Sequence, residues 1–168
     1  MIKLTIIIPV YNEIKTIEKL IKKILKINIK KQLIIVDDGS SDGTELILKK
    51  YKNRIDKLIF HKKNLGKGAA IKSGQKYVSG QYIGIQDADL EYDPRDLKKI
   101  VNEMDKRDLQ VMYGSRVLKK NKFKNTQNFT HIVRIWGNIF LTKASNFLNK
   151  QKLTDAHTCY KIFDSRIF

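Results

Sequence analysis

Asp87, Asp89 and Glu91 stand at alternate positions in the stretch QDADLEYDP. On an extended or turning backbone alternate residues point the same way, so the three carboxylates can converge. Hard oxygen donors of this kind suit a Mg2+ or Mn2+ ion that keeps open positions for phosphate oxygens. An EF-hand is a poor alternative, because Tyr92 stands where the sixth loop position needs glycine. The string from Asp38 to Gly43 fails at another position, with Lys49 where the closing glutamate of the twelfth loop position should be. The plain alternative for an aspartate pair after a strand is capping of the next helix.

A second group is Asn64-Leu65-Gly66-Lys67-Gly68-Ala69-Ala70. Glycines ahead of a helix let its N-terminus approach an anion, which the backbone N–H groups and Lys67 could then hold. It is not a Walker loop, because Gly68 follows the lysine, and not a dinucleotide fingerprint, because Ile71 replaces the last glycine. The competing explanation is a tight strand-to-helix turn with close packing.

The elements that must position these groups alternate along the chain. Lys3 to Val10 reads as a buried strand, Glu13 to Leu25 as an amphipathic helix, and Gln32 to Val36 as a second strand ending in the turn Asp37 to Gly43. A helix over Thr44 to Tyr51, a strand over Ile55 to Phe60, a helix over Lys67 to Val78 and a strand over Tyr82 to Ile85 follow. Pro94 opens a helix running to about Lys106, and Leu109 to Tyr113 is another strand. Such alternation predicts an α/β fold, a Rossmann-like, mostly parallel sheet with helices on both faces. Ligands of these sheets bind beyond the carboxyl ends of the strands. Tyr11-Asn12-Glu13, the turn from Asp37 to Asp42, and Asp87-Ala88-Asp89 all fall at those ends, so distant segments deliver carboxylates to one edge.

Past Gly114 the pattern changes to a basic loop and then a long amphipathic stretch, Phe129 to Leu148. Arg134, Asn138, Lys143 and Asn146 interrupt it, so it cannot cross a bilayer; it could lie on a membrane surface or pack as a helix on the sheet. Cys159 to Phe163 reads as a further strand. The net charge is +17, with 34 basic residues of which only six are arginine, and it calls for an anionic partner or surface. One cysteine excludes an intramolecular disulfide. The N-terminal apolar run is too short for a signal peptide, and a cytoplasmic protein, peripheral on the cytoplasmic face of the membrane, is expected.

The segments IIIPVYNE, IIVDDGSSDGT, NLGKGAAIKSG, QDADLEYDP, YGSR and TDAHTCYK occur here in an order that resembles family-2 glycosyltransferases. The wording QDADLEYDP and TD–TCYK looks most like dolichyl-phosphate mannose synthase and polyprenyl-phosphate glycosyltransferases. The resemblance covers almost the whole chain and implies a GT-A type fold. It implies that residues 1–168 form a single nucleotide-sugar-binding domain whose family counterpart continues further. It also implies that Pro9, Tyr11, Glu13 and Asp38 line the nucleotide, and that Asp87, Asp89 and Glu91 form the metal and diphosphate site. By the same resemblance Arg116 and Arg134 meet donor and acceptor phosphates, and Asp155 is a functional acid near the acceptor. Glu91 stands where many lipid-phosphate enzymes have glutamine. The implied partners are a UDP- or GDP-linked sugar, a polyprenyl phosphate and a membrane surface.

Three readings compete with that one. A family-2 transferase could instead add sugar to a glycan hydroxyl, and would then need a base such as Asp155. The chain could be an inactive remnant that still binds nucleotide. A basic module for nucleic acid or anionic lipid fits the charge, but aromatic residues are not interleaved with basic ones as stacking platforms require, so nucleic acid is not expected. His157 reads as a surface residue, and Cys159, without an accompanying base motif, as a small hydrophobe.

Overall fold

The computed structural model of the protein describes residues 1–115, 129–150, 153–155, 158 and 160–168, with the side chains of 129–135 outside the description. The chain divides into two compact units, one of Met1–Met112 with Tyr160–Phe168 and one of Tyr113–Cys159. The first begins with β1 (Leu4–Val10), α1 (Ile17–Leu25), β2 (Lys31–Asp37), α2 (Thr44–Lys50) and β3 (Lys57–Phe60). It continues through α3 (Lys67–Gln75), β4 (Tyr82–Ile85) and α4 (Arg95–Arg107). β5 (Val111–Tyr113) follows, the second unit carries α5 (Phe129–Asn149), and β6 (Lys161–Asp164) returns to the first.

The strands form one sheet in the order β3-β2-β1-β4-β6-β5. β1 to β4 are mutually parallel, and β6 pairs antiparallel with β4. The mostly parallel sheet expected from the alternating pattern is therefore present. Its central strands are buried on both sides, which is why β1 and β2 read as unbroken apolar runs rather than alternating ones. One face carries Ile7, Ile34, Val36, Ile83 and Ile85, packed with Ala70 of α3. Gly74 makes this packing possible, since a Cβ there would sit 2.9 Å from Ile7 Cγ2. On the opposite face Leu97 of α4 approaches Gly84 beside Leu4. Each fully buried Ile or Leu contributes on the order of 1.5–3 kcal/mol, so the inner strands hold the sheet rigid under the loops at its edge.

Two element boundaries differ from the sequence expectation for identifiable reasons. α1 starts at Ile17 rather than Glu13. The N–H groups of Asn12, Glu13 and Ile14 are already taken by Ser40 Oγ, Thr44 Oγ1 and Asp42 Oδ2, at 2.9, 2.9 and 3.0 Å. α3 stops at Gln75, where Tyr77 and Val78 turn back onto the carbonyls of Gly74 and Gln75.

The order of the strands places a switch point beside β1. The chain moves from β1 outward through β2 and β3, then crosses to β4 on the other side. β4 ends at Ile85, level with Ile7, whereas β1 runs on to Val10. The segments leaving β1 and β4 therefore diverge, and a crevice opens between them.

Candidate functional site

A cleft of about 310 Å3 occupies that crevice. Its lining includes Pro9, Tyr11 and Glu13 after β1, Asp38 after β2, Gly66 and Lys67 at the start of α3, and Asp87 and Asp89 after β4. Seven residues singled out from the sequence thus meet at one place, delivered by the ends of three strands, β1, β2 and β4, and by the start of α3. Glu91 is exposed and is not part of the lining.

The side of the cleft built by β1, β2 and β3 is closely bonded. Asn12, at φ 54, gives its N–H to Ser40 Oγ and takes the N–H of Ser41 on Oδ1 at 2.8 Å. Asp42 takes the N–H and hydroxyl of Thr44 on Oδ1 at 2.9 and 2.6 Å. The Glu13 carboxylate accepts the Thr16 hydroxyl. Asp37, buried at the end of β2, accepts the Ser40 hydroxyl; burial raises its pKa above the ordinary value, opposed by the bonds from Ser40.

Asp38 is the centre of this side. It is 3% exposed and takes Leu65 N–H on Oδ1 at 3.0 Å and Gly66 N–H on Oδ2 at 2.7 Å. His61 Nδ1 lies 2.6 Å from Oδ1, and because a carboxylate only accepts, that nitrogen carries the proton. His61 Nε2 faces Ser73 Oγ of α3 at 2.9 Å. Burial alone would raise the Asp38 pKa, but the bonds from His61, Leu65 and Gly66 outweigh it, and the net direction is down. With two oxygens offering about four acceptor directions, one remains on Oδ2 for a ligand. Gly39 brings this turn against the next loop: at φ +75 it sits where a Cβ would meet the Lys63 carbonyl carbon at 2.6 Å.

The opposite side carries the carboxylates. Asp87 pairs with Lys67 Nζ at 2.5 Å, with side-chain exposures of 16% and 49%. Asp89 is exposed and accepts the Glu91 N–H on Oδ1 at 2.9 Å across Leu90, whose φ is +64. Among the described residues no three His, Cys, Asp or Glu side chains gather closely enough to cage a metal ion. Asp87 and Asp89 still offer what Mg2+ or Mn2+ requires of a protein when phosphates complete the shell, one or two carboxylates beside open positions.

Of the remaining predicted residues, Arg116 lies outside the described residues, and Arg134 lies on α5 with its side chain outside the description. His157 and Cys159 are likewise outside it. Asp155 belongs to the second unit, is 1% exposed, and takes an N–H of Asn138 at 3.2 Å. No helix among the described residues is long and apolar enough to cross a membrane. On α5, Trp136, Phe140, Phe147 and Leu148 are strongly exposed. His61 was not visible as a site residue from composition. The rule that picks out the ends of β1, β2 and β4 would have found it, since it directly follows β3.

A mostly parallel α/β sheet with a cleft at its switch point places that cleft where such folds bind their ligands. The chain belongs to glycosyl transferase family 2, whose family model matches residues 5–168. It is similar to the dodecaprenyl-phosphate galacturonate synthase of Rhizobium johnstonii, 29% identical over 71% of this chain and 38% of that protein. It is also similar to the undecaprenyl-phosphate 4-deoxy-4-formamido-L-arabinose transferase of Salmonella choleraesuis, 32% identical over 61% of this chain and 34% of that protein. The chain thus spans little more than a third of the length of these relatives. Among solved structures, the mannosyltransferase of Pyrobaculum calidifontis in complex with GDP-Man and Mn2+ matches with a TM-score of 0.67 at 20% identity, over 96% of this chain and 44% of that one. The fold is that of the GT-A glycosyltransferases.

Proposed function

We propose that this chain is the nucleotide-sugar-binding part of an inverting glycosyltransferase that moves a sugar from a UDP- or GDP-linked donor to a polyprenyl phosphate. The observation that carries the reading is the single cleft in which Pro9, Tyr11, Glu13 and Asp38 face Lys67, Asp87 and Asp89. The relatives named for dodecaprenyl and undecaprenyl phosphate support the acceptor class.

The nucleoside lies against the β1 and β2 ends, with the free acceptor direction of Asp38 Oδ2 available to a base or ribose donor. The diphosphate lies toward Lys67, the first residue of α3, where helix N–H groups and an ammonium both favour negative charge. Asp87 and Asp89 would hold a Mg2+ or Mn2+ ion, with Glu91, outside the cleft lining, the least well placed of the three. When bound, such an ion supplies several kcal/mol of stabilisation to charge gathering on the leaving diphosphate. A lipid phosphate is already anionic at neutral pH, so its attack on the anomeric carbon requires positive side chains, the role of Arg116 and Arg134, rather than a base. The exposed apolar side chains of α5, with the net charge of +17, suit peripheral attachment to an anionic membrane face.

The test uses the full-length protein with two acceptors, polyprenyl phosphate and a sugar alcohol. Arg134→Ala should cut transfer to the lipid phosphate far more than hydrolysis of the donor, and Asp155→Asn should retain substantial transfer. Losing a true general base costs roughly 10²–10⁴-fold. A loss of that size in Asp155→Asn, with Arg134→Ala near wild type, rejects the lipid-phosphate acceptor in favour of a glycan hydroxyl.

A further inference from the structure

Immediately after β4, Gln86 is fully buried, and both ends of its amide are used. Its Oε1 accepts the hydroxyl of Tyr160 at 2.7 Å, and its Nε2 donates to the carbonyl of Asp87 at 3.0 Å. Its backbone N–H donates to Ile7 at 3.0 Å, extending the β1–β4 ladder by one rung. Tyr160 is 3% exposed, and its ring lies 4.7 Å from that of Tyr92, tilted by 38°. Both ends of the carboxylate turn, Asp87 through Gln86 and Tyr92 through ring contact, are therefore tied to one side chain that enters from the far end of the chain.

We propose that Tyr160 and Gln86 are positioning residues that clamp the turn from Asp87 to Tyr92 and thereby aim the Asp87 and Asp89 carboxylates at a bound diphosphate. The proposal rests on the nucleotide reading of the cleft and adds to it two residues outside the cleft wall.

The turn does not hold its own shape cheaply. Leu90 adopts φ +64, a left-handed conformation that costs a residue with a Cβ roughly 1–2 kcal/mol. Within the turn the Glu91 N–H donates to Asp89 across Leu90. An amide and a phenol buried in the core also carry a desolvation cost that an apolar pair would avoid. Fold stability alone does not call for a polar pair here, whereas holding Asp87 in a fixed direction does. The bond directions follow from chemistry. Burial, reinforced by Asp96 and Asp93, raises the Tyr160 pKa above its ordinary value, so the hydroxyl remains a donor at neutral pH. Gln86 must then turn its oxygen to Tyr160, which leaves its NH2 group for the Asp87 carbonyl. Ligand groups held by such outer contacts are set more accurately than ligands on a free loop.

Tyr160→Phe keeps the ring against Tyr92 and removes only the hydroxyl; Gln86→Leu removes both amide contacts at similar size. Backbone hydrogen exchange should quicken at residues 88–91 in both variants while β1 and β2 exchange as in wild type. Affinity for UDP or GDP with Mn2+ should fall at least about tenfold, as outer-contact losses do, while affinity for uridine or guanosine stays within about twofold. The double variant Gln86→Leu/Tyr160→Phe removes both members of the buried Tyr160–Gln86 pair together, so that only the Asp87 carbonyl loses a donor. It should recover Tm relative to Tyr160→Phe but not the preference for diphosphate over nucleoside. Val101→Ala, a buried change on α4, controls for general destabilisation. Variants that lose Tm like this control, with exchange at 88–91 and the diphosphate-to-nucleoside ratio unchanged, overturn the clamp. A wild-type protein that binds diphosphate no better than nucleoside overturns the reading of the cleft instead, and the exchange result still decides whether the clamp exists.

Discussion

The two walls of the cleft are built on different principles. On the wall formed by β1, β2 and β3, the acids are already partnered. Asp37, Asp38 and Asp42 together accept from Ser40, His61, Leu65, Gly66, Thr44 and Ile14. On the wall formed by β4, Asp87 holds Lys67 across the cleft, Asp89 faces solvent, and the turn between Asp89 and Glu91 passes through a left-handed leucine. The first wall is held in shape by its own hydrogen bonds. The second presents charge that a cation and a diphosphate would rearrange. The contrast teaches that a nucleoside would gain affinity here from preorganisation, and a diphosphate from added charge.

The largest effect that can break this contrast comes from Asp38. Asp38→Ala removes a carboxylate that ties the end of β2 to three donors of the β3–α3 loop, so the wall itself should loosen, at a cost on the order of 3 kcal/mol. Urea unfolding of the variant measures it; a loss under about 0.5 kcal/mol, the range of ordinary surface changes, means the wall is held by packing and not by this carboxylate. The same group gives a pH signature. Its folded pKa lies below the ordinary aspartate value of 3.8, so its stabilisation is fully present above that value and is lost as pH falls through the folded pKa. Asp37, raised by burial, has the opposite sign, and its contribution declines as pH rises through its own folded pKa. The stability gap between wild type and Asp38→Asn should therefore narrow on acidification below the ordinary carboxylate range.

The next effect probes the other wall. A nucleoside diphosphate at roughly 100 times its Kd should raise stability by about 2.7 kcal/mol when Mn2+ is present. Excess chelator should remove nearly all of that gain, while any gain from the nucleoside alone should persist. Equal stabilisation by the diphosphate in chelator and in Mn2+ would show that Lys67 and the start of α3 suffice for the phosphates, and that Asp87 and Asp89 serve another purpose.

How far the sequence foretold these walls depends on the range of the interactions involved. β1, β2 and β4 were legible because a strand buried on both faces needs a local run of Ile, Leu and Val, and polar residues placed just after such runs mark the ligand edge. Tyr11, Asp38, Asp87 and Lys67 could be named on that ground together with the family resemblance. His61 could have been named by the same rule, as the residue directly after β3, but its partner Asp38 depends on the register of β3 against β2, which no local pattern records. The Tyr160–Gln86 bond joins residues 74 positions apart, and the antiparallel insertion of β6 between β4 and β5 is equally non-local. The early start expected for α1 failed for a related reason: Ser40 and Asp42 of the β2–α2 turn and Thr44 at the start of α2 hold the N–H groups of Asn12, Ile14 and Glu13 in a loop that precedes the helix.

The smallest expected effect sharpens the contrast within the carboxylate wall. From spacing alone, Asp87, Asp89 and Glu91 are equivalent, because alternate residues of an extended segment share a side. The left-handed turn at Leu90 breaks that equivalence, and Asp87 and Asp89 line the cleft while Glu91 does not. Asp87→Asn and Asp89→Asn should each lower affinity for a Mn2+-bound nucleoside diphosphate by at least about tenfold, since each removes a charged oxygen from the place where the cation would sit. Glu91→Ala alters an exposed position, and its effect should stay within about 0.5 kcal/mol, roughly twofold in affinity. Titration calorimetry on the three variants gives the ranking directly. If Glu91→Ala instead matches the other two, the turn must refold around Leu90 when the ligand binds, bringing the third carboxylate into the cleft. The difference between the walls would then extend from bonding to shape, with one wall fixed in advance and the other formed only on its ligand.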